Sequence, residues 1–311
     1  MSSLKTLWPV MLTPFKQDGT IDYSSLEKLI DWYTCGGADG LFAVCQSSEM
    51  FYLSLEERVS LAAFIKSKST LPVVASGHVS DSAEDQIEEI KQIAATGVDA
   101  VILVTNRLAA YDEGSDAWIS RMQHILDNID SGITLGFYEC PYPYKRVLSE
   151  EELLFCRDSG RFKFLKDTCC DINIIRRRIE LLSGSGLNLY NANTATLLDS
   201  LCAGAAGFSG VMANFHPELY AWLLKNWDDT EKASLLQGML TMCSQIERQC
   251  YPVNAKHHLQ TLNVFSETTC RVRSNTEMLP LFETEVKQMA LMTNWASKQL
   301  EISLPIAAKG D

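Results

Sequence analysis

The chain has 311 residues, of which 46% are hydrophobic and 21% charged, and its formal net charge is −12. That composition suits a globular fold, and the charge excludes the basic stripe needed to neutralise nucleic-acid phosphates or an anionic membrane surface. Any anionic substrate must therefore be held by local donors.

No apolar run approaches the ~20 residues of a membrane span. Met1 to Val10 lacks the basic start and long apolar core of a signal peptide, so a cytoplasmic protein is expected. Ten cysteines are scattered without a C-x-x-C pair, and only Cys169-Cys170 are adjacent. In a chain of this size they read as reduced thiols, with a disulfide-rich secreted protein as the alternative.

Taken in order, eight short apolar runs alternate with polar-capped segments of helical spacing. The runs are Thr6–Thr13, Gly40–Cys45, Pro72–Val79, Ala100–Thr105, Ile133–Glu139, Phe162–Asp167, Leu187–Asn191 and Ala206–Met212. Near-continuous apolar runs are what strands covered on both faces look like. Their separation, about 20 to 35 residues, is that of a βα unit. Ser54-x-x-Glu57 and Ser149-x-x-Glu152 read as capping boxes. Ile87, Ile90 and Ala94 make an apolar stripe on an acidic helix. Glycines at Gly36-Gly37, Gly97 and Gly204 close helices just before the next strand.

Such a pattern specifies an α/β fold, a (β/α)₈ TIM barrel, with a doubly wound open sheet as runner-up that lacks G-x-G-x-x-G after its first strand. After Pro217 the strands stop. Glu218 to about Gln249, Ala255–Phe265 and Glu277–Leu300 read as helices, and the tail from Leu304-Pro305 to Asp311 as frayed. We expect a barrel over 1–230 and a C-terminal helical extension over 231–311, forming a single domain overall.

Barrel active sites lie at the C-terminal ends of strands. Those ends carry an amine, a phenol and several hydroxyls, but no His, Asp and Glu cluster at ligand spacing, so no metal is required. Phe162, Phe164 and Lys166 fall on one face of an alternating strand, carrying the lysine toward an apolar interior. Burial there favours the neutral amine, which can attack a ketone. A lysine capping its strand in solvent is the alternative reading. His78 is the one histidine at a strand end, and its expected role is structural.

At this point the chain resembles the pyruvate-dependent class I aldolases typified by dihydrodipicolinate synthase and N-acetylneuraminate lyase, over roughly residues 5 to 215. Phe164-Leu165-Lys166-Asp167-Thr168 resembles the strand-six lysine motif, and Tyr138-Glu139-Cys140-Pro141 the strand-five Tyr-x-x-Pro motif. Cys45-Gln46-Ser47-Ser48-Glu49 stands in the place of the carboxylate-binding loop. Leu12-Thr13-Pro14-Phe15 and the segment Gly204 to Gly210 with Ala213-Asn214 match the opening and eighth strands. The resemblance implies Lys166 as the Schiff-base nucleophile, Tyr138 as the proton-moving phenol, and no cofactor beyond the covalent lysine. It implies substrate contacts from Gln46, Ser47, Ser48, Thr168, Ser209 and Gly210, a loop anchor in Glu49, pyruvate as the small-molecule partner, and a homo-oligomer, dimer or tetramer.

The departures bear on the substrate. Cys45 and Ser48 replace loop glycines, and Gln46 replaces the first loop hydroxyl. Pro143 stands where the synthases carry a carboxylate-gripping arginine, with Lys145 and Arg146 nearby; Arg107-Leu108 replaces a Tyr-Tyr pair, and Tyr111 is a displaced substitute. Ala192 to Ala195 lacks the carboxylates that bind a sialic acid polyol. These changes disfavour both named activities. They leave an aldolase or dehydratase for another 2-oxo acid, such as a 2-keto-3-deoxy sugar acid. Phe51, Tyr52, Leu108, Tyr142 and Tyr144 would favour a less polar acceptor. A non-catalytic barrel that binds a 2-oxo acid is the alternative from another class.

Overall fold

A computed structural model of the protein describes residues 4–305. Residues 1–3 of the expected leaderless start and 306–311 of the expected frayed tail lie outside the described residues. Eight strands are present: β1 (Thr6–Leu7), β2 (Leu41–Phe42), β3 (Val73–Ser76), β4 (Ala100–Val104), β5 (Leu135–Tyr138), β6 (Phe162–Asp167), β7 (Asn188–Asn191) and β8 (Gly207–Phe208). One helix follows each: α1 (Tyr23–Cys35), α2 (Leu55–Lys68), α3 (Ala83–Ala95), α4 (Ser115–Asn128), α5 (Glu150–Asp158), α6 (Ile172–Leu182), α7 (Leu197–Ala203) and α8 (Pro217–Lys225). Three more, α9 (Thr230–Cys243), α10 (Val253–Thr261) and α11 (Pro280–Gln299), complete the described chain. None of these helices is long and apolar enough to cross a membrane.

All strand pairs are parallel, in the order β1-β8-β7-β6-β5-β4-β3-β2. A parallel bridge between Val10 and Phe42 closes the remaining seam. There Met11 N–H donates to the Phe42 carbonyl at 2.9 Å and Phe42 N–H to that of Pro9 at 3.0 Å. The fold is thus the (β/α)₈ barrel. Every residue of β3 and β4 is buried, as strands covered by helices on one side and filled by side chains on the other must be. β1 is shorter than its apolar run because Pro9 has no N–H to give the ladder. β8 stops where Val211–Asn214 winds into a short 3₁₀ turn.

Local chemistry fixes the helix ends. Ser54 and Ser149 close reciprocal capping boxes with Glu57 and Glu152 at 2.9 to 3.1 Å. The helix expected over Glu218 to Gln249 is interrupted between α8 and α9. In Asn226-Trp227-Asp228-Asp229 the Asp229 carboxylate caps α9 by accepting from Lys232 N–H at 3.3 Å. A further 3₁₀ stretch, Ser244–Arg248, then leads toward α10.

One expectation about β6 needs correcting. Phe162 does not share the face of Phe164 and Lys166. Leu135 pairs with Phe162 but the next residue, Gly136, pairs with Phe164, which leaves exposed Lys163 as a bulge. The inserted residue resets the alternation. Phe162 therefore turns to the helix layer and stacks on Phe137 at 4.2 Å, whereas Phe164 points inward and stacks on Tyr190 at 4.3 Å. Trp8 and Phe42 meet Phe164 edge-on at 5.4 and 6.1 Å, forming an aromatic plug in the barrel.

Gly207 shows how tightly the ring closes. With φ +159°, a Cβ there would lie 1.8 Å from the Thr6 carbonyl oxygen across the β1–β8 pair. Gly207→Ala must force those strands apart. It is expected to destabilise the protein by on the order of 3 kcal/mol or more in urea unfolding, while Gly97→Ala, with nothing within 4 Å of its Cβ, should cost no more than about 1–2 kcal/mol, mainly from its positive φ.

Candidate active site

Downstream of the bulge, Tyr138 of β5 and Lys166 of β6 are register partners. Their side chains leave neighbouring strands at one level, on the inner face, near the C-terminal mouth. The Lys166 Nζ lies 4.0 Å from the centre of the Tyr138 ring and 5.8 Å from that of Phe42. The residue is 3% exposed, and among the described residues no carboxylate lies within ion-pair distance of its amine. Burial in these surroundings brings its pKa down to about 8, with charge on Cys45, Cys140 and Glu247 acting the other way. Burial likewise pushes the Tyr138 phenol well above its ordinary value. That phenol donates to Gln46 Oε1 at 3.2 Å.

A cavity of about 690 Å³ opens above this pair, and Gln46, Ser47, Tyr138, Lys166, Thr168 and Gly210 all reach its wall. Ser48 and Ser209 do not. The Ser48 hydroxyl is turned into the barrel wall, against the carbonyls of Ala43 at 2.6 Å and Met11 at 2.7 Å, and it accepts from Cys45 N–H at 3.2 Å. It is a strut of the loop. Ser209 is fully buried and its hydroxyl has no partner. Thr168 donates its hydroxyl to the Glu139 carbonyl at 2.7 Å. The first two residues of the 3₁₀ turn Gln46–Ser48 have backbone N–H groups with no acceptor inside the turn.

The side chains expected to tune the substrate are differently disposed. Of the aromatic set named from the sequence, Tyr142 alone lines the cavity. Tyr111 is 79% exposed and meets Tyr144 edge-on at 5.7 Å. Arg146 is committed to Glu152 at 2.7 Å, so it is not free for a substrate carboxylate. His78 is buried, and desolvation holds it neutral with a pKa of about 3.

The C-terminal segments supply residues that no local motif announced. Tyr251, just ahead of α10, donates to Ser47 Oγ at 2.7 Å and accepts from Asn214 Nδ2 at 2.8 Å; Tyr33 in turn donates to Asn214 Oδ1. This one-way chain leaves the Ser47 O–H free to donate into the cavity. Glu247 and Arg248 line the same cavity from the 3₁₀ stretch, and Arg273 and Glu277 from the loop before α11. Glu49 takes up the anchoring role expected of it. It pairs with Lys256 at 2.6 Å, both side chains being fully buried, and accepts from the N–H groups of Arg271 and Val272 at 2.6 and 2.8 Å.

Beneath the lysine, Arg178 of α6 donates to Asp167 and, at 2.7 Å, to Glu139. Glu139 also accepts from Thr168 N–H at 3.0 Å and Leu148 N–H at 2.8 Å. Burial, reinforced by the Asp167 charge, raises the Glu139 pKa although Arg178 opposes it. The cluster fastens the ends of β5 and β6 to α6. Among the described residues no group of three or more His, Cys, Asp or Glu is arranged to hold a metal ion.

The Dihydrodipicolinate synthetase family model matches residues 3–289. A 4-hydroxy-tetrahydrodipicolinate synthase of Oceanobacillus iheyensis is 26% identical over 289 residues, covering 90% of this chain and 92% of that one. Another, of Acidiphilium cryptum, is 27% identical over 292 residues, covering 91% and 95%. Among solved structures, the Acinetobacter baumannii dihydrodipicolinate synthase complexed with pyruvate superposes with a TM-score of 0.83 at 20% identity, covering 94% of this chain and 99% of that one. The Cyanidioschyzon merolae enzyme with lysine bound gives 0.83 at 19%, with the same coverage. The chain belongs to the dihydrodipicolinate synthetase family, a family of lyases.

The lowered lysine pKa has a stability consequence. Between about 8 and the ordinary value of 10.5 the unfolded chain holds a proton on Lys166 that the folded chain does not, so stability rises with pH across that window. Lys166→Met should therefore stabilise the protein at pH 7, by up to about 3 kcal/mol, and the gain should vanish by pH 10.5 in denaturant titrations.

Proposed function

We propose that this member of the dihydrodipicolinate synthetase family is a Schiff-base lyase. It cleaves or forms a 2-oxo acid with pyruvate as the enamine component, Lys166 as nucleophile and Tyr138 as the phenol that moves protons at the reacting oxygen. The observation that carries this reading is the Lys166 amine, buried with no ion-pair partner among the described residues and 4.0 Å from the centre of the Tyr138 ring. An amine with a pKa of about 8 keeps a usable neutral fraction at pH 7, and no cofactor is needed because the electron sink is the iminium itself. The free Ser47 hydroxyl and the turn amides of Gln46 and Ser47 suit a carboxylate. Neutral donors of this kind do the work that spare cations cannot do in an acidic chain.

For the acceptor end we favour a hydroxylated 2-oxo acid of the 2-keto-3-deoxy sugar acid kind, because Pro143 and the committed Arg146 leave no arginine near strand five to grip a second carboxylate. One observation favours a synthase-type acceptor that carries a carboxylate instead. Arg248 reaches the cavity wall and has no ion-pair partner among the described residues. A homo-oligomer is the expected assembly. Tyr111 on the loop after β4 and Trp295 on α11, 79% and 56% exposed, are its candidate contacts. A cytoplasmic location accords with ten unpaired cysteines.

Pyruvate with borohydride should leave a stable adduct on Lys166, located by peptide mass spectrometry. Its yield should climb as pH rises through about 8, the value to which burial brings the amine, and Lys166→Ala should give none. An unmodified Lys166 in folded, active protein would overturn the Schiff-base reading, while adduct without turnover of any 2-oxo acid would favour the non-catalytic barrel.

A further inference from the structure

The cavity holds a proton-handling problem that Tyr138 does not solve alone. Converting a pyruvate iminium to an enamine removes a proton from C3, and a base must take it. The Tyr138 phenol is neutral, with burial keeping it so, and its hydrogen points at the Gln46 amide oxygen. An amide oxygen accepts a hydrogen bond but takes up no proton near neutral pH, so the path from Tyr138 ends there. Tyr251 is likewise held neutral by burial, and its hydrogen is spent on Ser47. The Cys140 thiol is pushed to about 11 and that of Cys170 is raised, both by burial. Arginine offers no base, and Glu277 is tied to Arg273 and to the Ser274 N–H.

Glu247 is what remains. The residue lines the same cavity, is partly buried, and is the one lining acid among the described residues with neither an ion-pair nor a hydrogen-bond partner. Glu247 and Lys166 line this cavity together, and burial raises the Glu247 pKa against the pull of Arg248 and Lys166.

We propose that Glu247 is the base of this site, taking the C3 proton from the pyruvate iminium on Lys166 and passing it by way of the Tyr138 hydroxyl to the oxygen of the acceptor. The inference rests on the Schiff-base reading above and adds a second catalytic group to it. In the first step the C3–H bond breaks and its proton goes to the Glu247 carboxylate. Its electron pair becomes the C2=C3 bond, and the π pair of the C2=N⁺ bond moves onto nitrogen. The enamine C3 then attacks the acceptor carbonyl carbon, Tyr138 gives its O–H proton to the oxygen that becomes a hydroxyl, and the proton held on Glu247 replaces the one Tyr138 gave up. Cleavage runs the same steps in reverse. No oxidant or reductant enters.

Exchange of the pyruvate methyl protons in D₂O, followed by proton NMR, reads the first step without any knowledge of the acceptor. Wild-type protein should exchange them, and Glu247→Gln should slow exchange by about 100-fold or more while borohydride still traps pyruvate on Lys166 in full yield. Glu247→Asp, with its carboxylate set back by one methylene, should trap fully and exchange at an intermediate rate. It carries the test if the Gln variant fails to fold. Wild-type exchange rates in either trapping-competent variant would overturn the proposal, as would wild-type protein that traps pyruvate but never exchanges its methyl protons. Wild-type protein that fails even to trap pyruvate would instead overturn the Schiff-base reading on which this one stands.

Discussion

Everything at this site depends on keeping one amine out of water without giving it a partner. A carboxylate in direct ion-pair contact with Lys166 would hold the amine protonated, the form that cannot act as a nucleophile. Full hydration would do the same. The barrel avoids both by seating Lys166 over the Phe42 and Tyr138 rings, at 5.8 and 4.0 Å from their centres. Two acids at the ends of β5 and β6 are paired elsewhere. Asp167 and Glu139 face Arg178 instead. The guanidinium thus protects the lysine's neutral form by absorbing charges that the lysine would otherwise attract.

The same economy governs anion binding. In a protein of net charge −12, a 2-oxo acid bound as proposed above would meet oriented dipoles at the loop Gln46–Ser48. Tyr33, Asn214, Tyr251 and Ser47 point their donors one after another toward the cavity. Each bond polarises the next, and because the members are buried they need little reorganisation when a ligand arrives. The Glu49–Lys256 pair fixes the loop that ends this chain of bonds.

Much of this could be read from the sequence because strand and helix periods, capping boxes and strand-end residues are local signals. The eight apolar runs gave the barrel, and Ser54, Glu57, Ser149 and Glu152 gave two helix starts. Phe162 misled because strict alternation through Phe-Lys-Phe-Leu-Lys hides a bulge, which depends on how β5 lies alongside β6. Tyr251 and Glu247 left no trace near the motifs because they arrive from segments more than 80 residues beyond Lys166. Ser48 looked like a ligand because a hydroxyl's direction is set by which carbonyls surround it, and residue type does not reveal that. The interruption between α8 and α9 was written in Asn226-Trp227-Asp228-Asp229, a run of turn and cap formers.

The Glu49 pairing also sets an order of events as the polypeptide leaves the ribosome. The eight strands are complete by Phe208, yet Glu49 must wait for Lys256, Arg271 and Val272 before its buried carboxylate is matched. Until then that charge favours a hydrated, open loop. The strand that carries Lys166 is therefore complete before the loop at the cavity floor can be fixed, and that loop takes its final place only when the last helices dock.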